Sequence, residues 1–385
     1  MKSLADFNFQ NKRVILRCDF NVPIKNGEVS DDFRIREIIP TINHLVKNEA
    51  KVILISHLGQ PKEKNSKHSL KPIGRKLEKL LDKSVKFLDD CQGSKVEKEI
   101  EKMKTGQIVL LENLRFYPGE KENDLKFAKA LAKLGDIYIS EAFSVTHRNH
   151  ASIATLPKLI PSGIGFLFGK EIMALTKVKE NPARPIVVII GGIKISSKIK
   201  AIEKFLSRVD HVLLGGKIAN IILRVKGICL GKPWPEEDVI KIIEKLKLTD
   251  TKMHLPVDVV VSPNESGEVY IRETGPGSVR KEEGIFDIGP ETIETFKKII
   301  EEGKTIIWSG ALGLAENEKF RPGTKSIAEA IARNHGAFKV AGGGDTIKLL
   351  NQFGLSERFS YISTGGGAML NYLIGEKMPG IEALK

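Results

Sequence analysis

The sequence has few cysteines and no long apolar run. Its 385 residues include only Cys18, Cys91 and Cys229, which are too few and too scattered for a disulfide framework or a metal site. No apolar run approaches the roughly 20 residues that a membrane-spanning helix needs, and the opening MKSLADFNFQNKRVIL contains no apolar signal-peptide core. These absences predict a cytoplasmic protein with no membrane partner.

Aromatic residues that stack on bases are also scarce, with two tryptophans and five tyrosines. They are not interleaved with basic residues in the manner of an RNA-recognition motif. The net charge of +13 still attracts anions, whether nucleic acid, acidic lipid or a phosphorylated metabolite. Charge alone leaves the class of anion open, and we expect no dedicated nucleic-acid partner.

A short β-branched run, a glycine-rich or polar turn and a helical stretch recur along the chain. Short apolar runs separated by helical stretches are typical of buried parallel strands with helices on both faces. Because 385 residues exceed what one hydrophobic core usually serves, we predict an α/β protein of two such lobes. The predicted strands are Val14 to Arg17, Val52 to Ile55, Ile108 to Leu111, Ile137 to Ile139, Ile186 to Ile190, Val212 to Leu214, Thr305 to Trp308, Phe338 to Val340 and Ser360 to Ile362.

The turns after the first-half strands carry charged and polar side chains. Ligands of open parallel sheets bind beyond the carboxyl ends of the strands, and arginine forks match phosphate and carboxylate oxygens. Any one of these arginines could instead pair with a nearby acidic residue, but the set predicts a site for a small polyanion. Its members are Arg17, Asp19, Asn21, His57, Arg115, His147 and Arg148.

The turns after the second-half strands are rich in glycine instead. Glycine permits close backbone approach, and a helix start offers free amide donors to phosphate, so these turns predict nucleotide binding. Glycine pairs also serve purely steric needs, and neither the P-loop nor the G-x-G-x-x-G fingerprint is present.

Asp345, at a predicted helix start, is the candidate ligand for Mg²⁺ on nucleotide phosphates, with an N-cap role as the alternative. Lys194 and Lys198 are four residues apart and would share one helix face.

Several motifs in this order resemble those of the phosphoglycerate kinase family. They include VILRCDFNVP, FRIREIIPTI, ISHLGQP, LLENLRF, EAFSVTHRNHAS, GGIKISSKI, LLGGKIAN, FRPGT, GGGDT and STGGGAML. The resemblance runs from about residue 13 to the C-terminus. It implies reversible Mg²⁺-dependent phosphoryl transfer from 1,3-bisphosphoglycerate to ADP, giving 3-phosphoglycerate and ATP, by a glycolytic monomer.

The resemblance also implies site residues. Arg34, Lys194 and Lys198 would be catalytic, and Asp345 would bind Mg²⁺. The residues that would bind 3-phosphoglycerate are Asp19, Phe20, Asn21, Arg34, His57, Leu58, Gly59, Gln60, Arg115, His147 and Arg148. Those that would bind the nucleotide are Gly192, Lys198, Gly215, Gly216, Gly289, Glu316, Gly342, Gly343, Gly344, Asp345 and Thr346.

The implied organisation is two Rossmann-like lobes joined by a hinge helix and closing by hinge bending. Residues 1–168 would bind 3-phosphoglycerate, 169–185 would form the interdomain helix and linker, and 186–370 would bind the nucleotide. Residues 371–385 would return to the N-terminal domain.

The chain departs from the family pattern at six positions. Gln60 replaces an arginine of the HLGRP motif and so removes one cation from the polyanion site. The other departures are Glu141, Ser197, Ser309, Ala311 and Asn371. Since Arg34, Lys194, Lys198 and Asp345 are retained, we expect an active kinase. A regulatory nucleotide-binding protein without turnover is the alternative.

Overall fold

The computed structural model describes residues 1–192, 195–229, 231, 237–244 and 250–385, with the side chains of 195–197, 238 and 242 excepted. The chain divides into two compact units. Unit 1 comprises Met1–Met173 and Lys377–Lys385, and unit 2 comprises Ala174–Glu376. The predicted bounds of the functional domains, at 168, 185 and 370, stay predictions.

The strands of unit 1 are β1 Arg13–Arg17, β2 Ile24–Lys25, β3 Glu28–Val29, β4 Lys51–Ile55, β5 Val85–Phe87, β6 Ile108–Leu110, β7 Ile137–Ser140 and β8 Ser162–Ile164. Its helices are α1 Phe33–Lys47, α2 Lys71–Leu81, α3 Ser94–Glu101, α4 Pro118–Lys121 and α5 Leu125–Ala132. Helix α6, Phe166–Glu180, begins in unit 1 and ends in unit 2, and α14, Pro379–Glu382, belongs to unit 1.

Six parallel strands form the sheet of unit 1, in the order β5-β6-β4-β1-β7-β8. Val14, Ile15 and Leu16 of β1 are all buried, although successive strand residues point to opposite faces. Both faces of the sheet are therefore covered. Helix α1 contributes Ile35 and Ile38, which lie one turn apart in the same hydrophobic core.

The strands of unit 2 are β9 Ile186–Ile190, β10 His211–Leu214, β11 Met253–His254, β12 Val259–Ser262, β13 Arg272–Thr274, β14 Gly284–Ile288, β15 Thr305–Ser309, β16 Phe338–Gly342 and β17 Tyr361–Ser363. Its helices are α7 Ile195–Leu206, α8 Gly216–Val225, α9 Glu237–Glu244, α10 Pro290–Glu302, α11 Pro322–Arg333, α12 Gly344–Gln352 and α13 Gly366–Leu373.

A second parallel sheet organises unit 2, in the order β11-β10-β9-β15-β16-β17. The predicted α/β class with two parallel sheets is confirmed. The structure adds an antiparallel sheet, β13-β12-β14, which the sequence did not predict. Within the described residues, no helix has the length and apolar content to cross a bilayer.

Candidate functional site

In unit 1, polar side chains gather where parallel strands end. Arg17 is the last residue of β1, and His57 lies two residues beyond the end of β4. Arg115 follows β6, and the turn with His147 and Arg148 follows β7. The carboxyl ends of parallel strands share one edge of the sheet, so these side chains form one cluster. This basic basin comprises Arg17, Asp19, Asn21, Arg34, His57, Arg115, His147, Arg148 and His150.

Asp19 links several members of the basic basin. Its Oδ2 lies 2.7 Å from Arg34 Nη1 and accepts a hydrogen bond from Ser144 Oγ, and its Oδ1 accepts from Asn21 N at 3.0 Å. Arg34 Nη1 also donates to Asn21 O at 3.2 Å, and Asn21 Oδ1 accepts from Gly59 N at 2.9 Å. The carboxylate thus orients one arginine while other cations remain nearby.

Arg115 is 4% exposed and only partly satisfied. Its Nη1 donates to Gly59 O at 2.6 Å, but its buried Nε and Nη2 have no hydrogen-bond partner among the described residues. Burial, with the charges of Arg148 and Arg17, lowers the pKa of Arg115 to about 9. A bound anion would supply both the missing acceptors and the missing negative charge.

Two histidines of the basic basin, His57 and His150, are held neutral by the same environment. Burial and the charges of Arg17 and Arg115 keep the pKa of His57 well below its ordinary value. Burial and the nearby arginines lower the pKa of His150 to about 3. Burial also lowers the pKa of Arg148, although Asp19 opposes that shift. The site therefore carries its positive charge on arginine and can use imidazole as a neutral partner.

Three of the predicted 3-phosphoglycerate residues lie differently from the rest. The side chains of Phe20 and Leu58 are buried in the hydrophobic core of unit 1, so only their main chains are available to the basin. Gln60 is exposed beside Gly59. The predicted set is otherwise brought together by the turns described above.

In unit 2, the glycine-rich turns border a cavity of about 550 Å³. Four predicted nucleotide residues line it, namely Gly192, Gly216, Glu316 and Asp345. Apolar walls come from Ile285, Phe286 and Leu314, and polar groups from Lys217, Asn220 and Arg224. An apolar slot with a few polar groups is typical of sites for small ligands.

Close packing of main chain at one wall of this cavity requires glycine. Gly216 has a φ of +60°, and a Cβ there would lie 2.7 Å from Ala311 O and 2.9 Å from Gly192 N. Gly215, the N-cap of α8, packs equally closely against Leu312. These glycines bring the N-terminus of α8 to the cavity wall.

Lys198 lies in the first turn of α7, and its Nζ is 3.1 Å from where a Cβ would lie on Gly192, a residue of the cavity lining. Its Nζ donates to Gly191 O and, at 3.2 Å, to Ser309 O. The main chain of Ser309, one of the departures from the family pattern, therefore helps to hold this lysine. Lys194 lies outside the described residues, as does the side chain of Ser197.

The turn from Gly342 to Thr346 joins β16 to α12. Gly343 is the N-cap with a φ of +108°, and Gly344 opens the helix. Thr346 is buried, and its Oγ1 accepts from Gly310 N at 2.8 Å. Asp345, in the first helical turn, is exposed and lines the cavity. The turn thus presents one carboxylate beside free helix amides.

A magnesium ion fits this turn only as part of a complex with phosphate. Among the residues the structure describes, no group of three or more His, Cys, Asp or Glu side chains is arranged to hold a metal by itself. Mg²⁺ commonly uses one or two carboxylates together with substrate phosphates and water. Asp345 meets that requirement.

Gly289 stands apart from the cavity lining. It is the N-cap of α10, and a Cβ there would lie 2.3 Å from Asp258 Oδ2. That oxygen accepts from Glu291 N at 2.9 Å. The geometry gives this glycine a packing role at the helix start.

Some residues of the two sites escaped prediction from sequence. In the motif HRNHAS, the sequence predicts His147 and Arg148 as site residues but not His150. The apolar wall residues Ile285 and Phe286 lie in an antiparallel strand that had no clear sequence signal. Glycine and charge patterns marked the turns but not the walls between them.

Comparison with known proteins gives one consistent relationship. A family model described as phosphoglycerate kinase matches residues 4–376. Phosphoglycerate kinase of Dictyoglomus turgidum is 44% identical over 392 residues, covering 99% of this chain and 98% of that protein. That of Borrelia garinii is 42% identical over 391 residues, covering 100% and 99%.

Solved structures agree with the sequence comparison. The phosphoglycerate kinase of Coxiella burnetii matches with a TM-score of 0.81 at 37% identity, covering 100% of this chain and 98% of that one. The enzyme of Pyrococcus horikoshii matches with a TM-score of 0.88 at 33% identity and the same coverage. The chain therefore belongs to the phosphoglycerate kinase family.

Proposed function

We propose that this phosphotransferase reversibly transfers the acyl phosphate of 1,3-bisphosphoglycerate to Mg-ADP, giving 3-phosphoglycerate and ATP. In the forward direction a β-phosphate oxygen of ADP attacks the acyl phosphorus. The bond from phosphorus to the acyl oxygen breaks, and the carboxylate leaves with its electron pair. The attacking oxygen is already anionic, so the step needs no nucleophilic side chain and no general base.

The arrangement of Arg115 is the observation that best supports this assignment. Two of its buried nitrogens have no acceptor in the part of the protein that the structure describes, and its neighbours include other arginines. A substrate with a phosphate and a carboxylate supplies oxygens of the right kind. We assign 3-phosphoglycerate to the basic basin, with Arg34 nearest the transferring group.

We assign the nucleotide to the cavity of unit 2. The base would lie between the apolar walls, Glu316 would contact the ribose, and the N-termini of α8 and α12 would face the phosphates. Lys198 would contact the phosphate chain, and Lys194 would stabilise the transferring group.

Asp345 would hold the Mg²⁺ carried by the nucleotide. When bound, this ion supplies positive charge to phosphate oxygens during transfer. The chain's own contribution is positioning and charge: Arg34 and Lys198 orient anionic oxygens, because a loose phosphoryl-transfer transition state needs alignment and neutralisation more than covalent help.

We further propose that the enzyme is a glycolytic, cytoplasmic monomer that uses hinge bending during turnover. Its three cysteines are buried and free, as is usual in a reducing compartment. The monomeric state and the hinge motion rest on the family resemblance.

A coupled assay of 1,3-bisphosphoglycerate formation from 3-phosphoglycerate, ATP and Mg²⁺ tests the proposal. We expect Arg34→Ala to lower kcat by at least about a hundredfold, the scale for one lost transition-state donor. Arg36→Ala is the matched control, since Arg36 lies on the same helix, is largely exposed and pairs with Asp32. Its activity should remain near wild type.

The nucleotide half-site is tested in the same assay by Asp345→Asn, with Glu357→Gln as an exposed control in the same unit. Asp345→Asn should raise the Mg²⁺ concentration needed for half-maximal rate, and the control should not. A folded wild type that binds ADP without turnover would overturn the kinase assignment and favour a regulatory nucleotide-binding protein.

A further inference from the structure

Behind the basic basin lies a polar cluster with no direct access to solvent. Arg17, Glu120 and Ser152 are each 0% exposed. Burying a charged pair is costly unless its hydrogen bonds are satisfied. The hydrogen bonds within this cluster therefore determine which atoms donate and which accept.

Ser152 joins the carboxylate to the guanidinium. Its N donates to Glu120 Oε2 at 2.9 Å, and its Oγ lies 2.7 Å from Glu120 Oε1. A carboxylate accepts and a hydroxyl has one proton, so the hydroxyl donates to Glu120. Its lone pairs then receive Arg17 Nε, at 2.8 Å. Arg17 Nη2 lies 3.8 Å from Glu120 Oε1, which completes the ion pair.

The far side of Arg17 meets the imidazole of His57. Arg17 Nη2 is 3.3 Å from His57 Nδ1. A guanidinium only donates hydrogen bonds, so Nδ1 must accept and the single ring proton must be on Nε2. That nitrogen lies 4.0 Å from Asp19 Oδ1, within the basic basin.

A second proton on His57, at Nδ1, would place its N–H against the N–H of Arg17 Nη2, beside the positive charge of that guanidinium. The charges of Arg115, Arg148 and Arg34 also disfavour the protonated ring and lower the pKa of His57. Geometry and charge therefore select one neutral form of the ring.

We propose that Glu120 and Ser152 are positioning residues that, through Arg17, fix His57 as the neutral Nε2–H tautomer and present it as a hydrogen-bond donor to a substrate oxygen. The identity of that oxygen, on 3-phosphoglycerate, rests on the proposed function. The tautomer does not, since it follows from contacts within the protein.

Nuclear magnetic resonance of the whole chain labelled with ¹⁵N-histidine tests the tautomer without substrate. The protein has eight histidines, and His57→Gln assigns the resonances of this one. We expect a protonated Nε2 and an unprotonated Nδ1, unchanged from about pH 6 to pH 8, where ordinary histidines titrate. A protonated Nδ1 in the wild type would overturn the proposal.

Ser152→Ala tests the positioning role. The variant removes the acceptor for Arg17 Nε, so the ring should become a mixture of tautomers. The KM for 3-phosphoglycerate should rise about tenfold, equivalent to about 1.4 kcal/mol, with a smaller change in kcat. Glu120→Gln should act in the same direction and serves if Ser152→Ala fails to fold.

Tyr138→Phe is the matched control. It removes a buried hydroxyl that donates to Ser152 O at 2.9 Å and leaves the contact from Arg17 Nε to Ser152 Oγ in place. Equal tautomer changes in Tyr138→Phe and Ser152→Ala would refute the positioning role, as would wild-type ring shifts in Ser152→Ala. Loss of turnover with the Nε2–H tautomer intact would count against the proposed function alone.

Discussion

The basic basin of unit 1 and the cavity of unit 2 use different parts of the chain to attract anions. In the basin, charged side chains such as Arg34 and Arg115 meet around one carboxylate, that of Asp19. In the cavity, glycines let main chain approach closely, as Gly216 does against Ala311 O. Side-chain charge is expensive to bury, whereas helix amides require only the right backbone path.

This difference predicts different costs of mutation. A buried charged residue of the basin lowers the stability of the fold but is needed for binding. Its removal should therefore weaken substrate binding without lowering the free energy of unfolding. A cavity glycine serves both, so its replacement should damage binding and folding together.

The largest effect is expected from Arg115→Met. Losing two or more charge-assisted hydrogen bonds, each worth roughly 1.5–3 kcal/mol, should lower kcat/KM for 3-phosphoglycerate about a thousandfold. ADP affinity should be unchanged. The substitution removes a buried cation that lies among other cations, so the free energy of unfolding should rise by about 1 kcal/mol. Urea denaturation measures this change. A variant less stable than wild type would contradict the view that the buried charge of Arg115 destabilises the fold.

Each unit has a buried carboxylate that accepts hydrogen bonds at the start of a helix. This arrangement predicts how the stability of the fold depends on pH. Glu141 Oε2 accepts from Phe168 N at 2.8 Å in α6, and Asp287 Oδ2 accepts from Gly323 N at 2.7 Å in α11. Burial raises the pKa of Glu141 to about 7 and that of Asp287 to about 7.

The folded chain therefore holds these two protons more tightly than the unfolded chain does. Their contribution to stability is complete below about pH 4, near the ordinary pKa values, and is lost as pH rises through about 7. Each group accounts for a loss of roughly 3–4 kcal/mol, at 1.36 kcal/mol for each pKa unit. Unfolding of Glu141→Gln and of Asp287→Asn at several pH values should each show a shallower decline than wild type. An unchanged slope in either variant would remove that residue from the explanation.

A smaller effect is expected from Gly216→Ala. The added methyl meets Ala311 O and requires a left-handed backbone, so ADP affinity should fall about tenfold, or about 1.4 kcal/mol, by calorimetry. Gly354→Ala is the matched control, because Gly354 has a φ of +66° but open space around its Cα. It should lose about 1 kcal/mol of stability and keep ADP affinity. Equal loss of affinity in both would point to backbone strain alone.

The smallest effect is expected from Gln60→Arg, which adds a cation at the exposed rim of the basin. Exposed charge pairs contribute up to about 1 kcal/mol, so the KM for 3-phosphoglycerate should fall about threefold. The gain should shrink at high salt because screening weakens exposed charges. A gain that persists in salt would mean that the new side chain is buried on binding.

Sequence reasoning was most successful for the two parallel sheets. Buried parallel strands are continuous apolar runs, which is why Val52 to Ile55 and Ile186 to Ile190 could be recognised. It missed the edge strands β5, β8 and β11, which are two or three residues long, the strand pair β2-β3 and the antiparallel sheet of unit 2. Such short strands depend on their neighbours for burial more than on their own pattern.

For the sites, sequence by itself determined which residue types follow each strand, and the parallel fold then implied that they share an edge. Tertiary structure alone decided which of them interact. Asp19 pairs with Arg34, two nitrogens of Arg115 have no partner among the described residues, and Ser152, 135 residues along the chain from Arg17, accepts a hydrogen bond from its Nε. Pairing and burial depend on distances between residues far apart in the chain, and no local pattern encodes those distances.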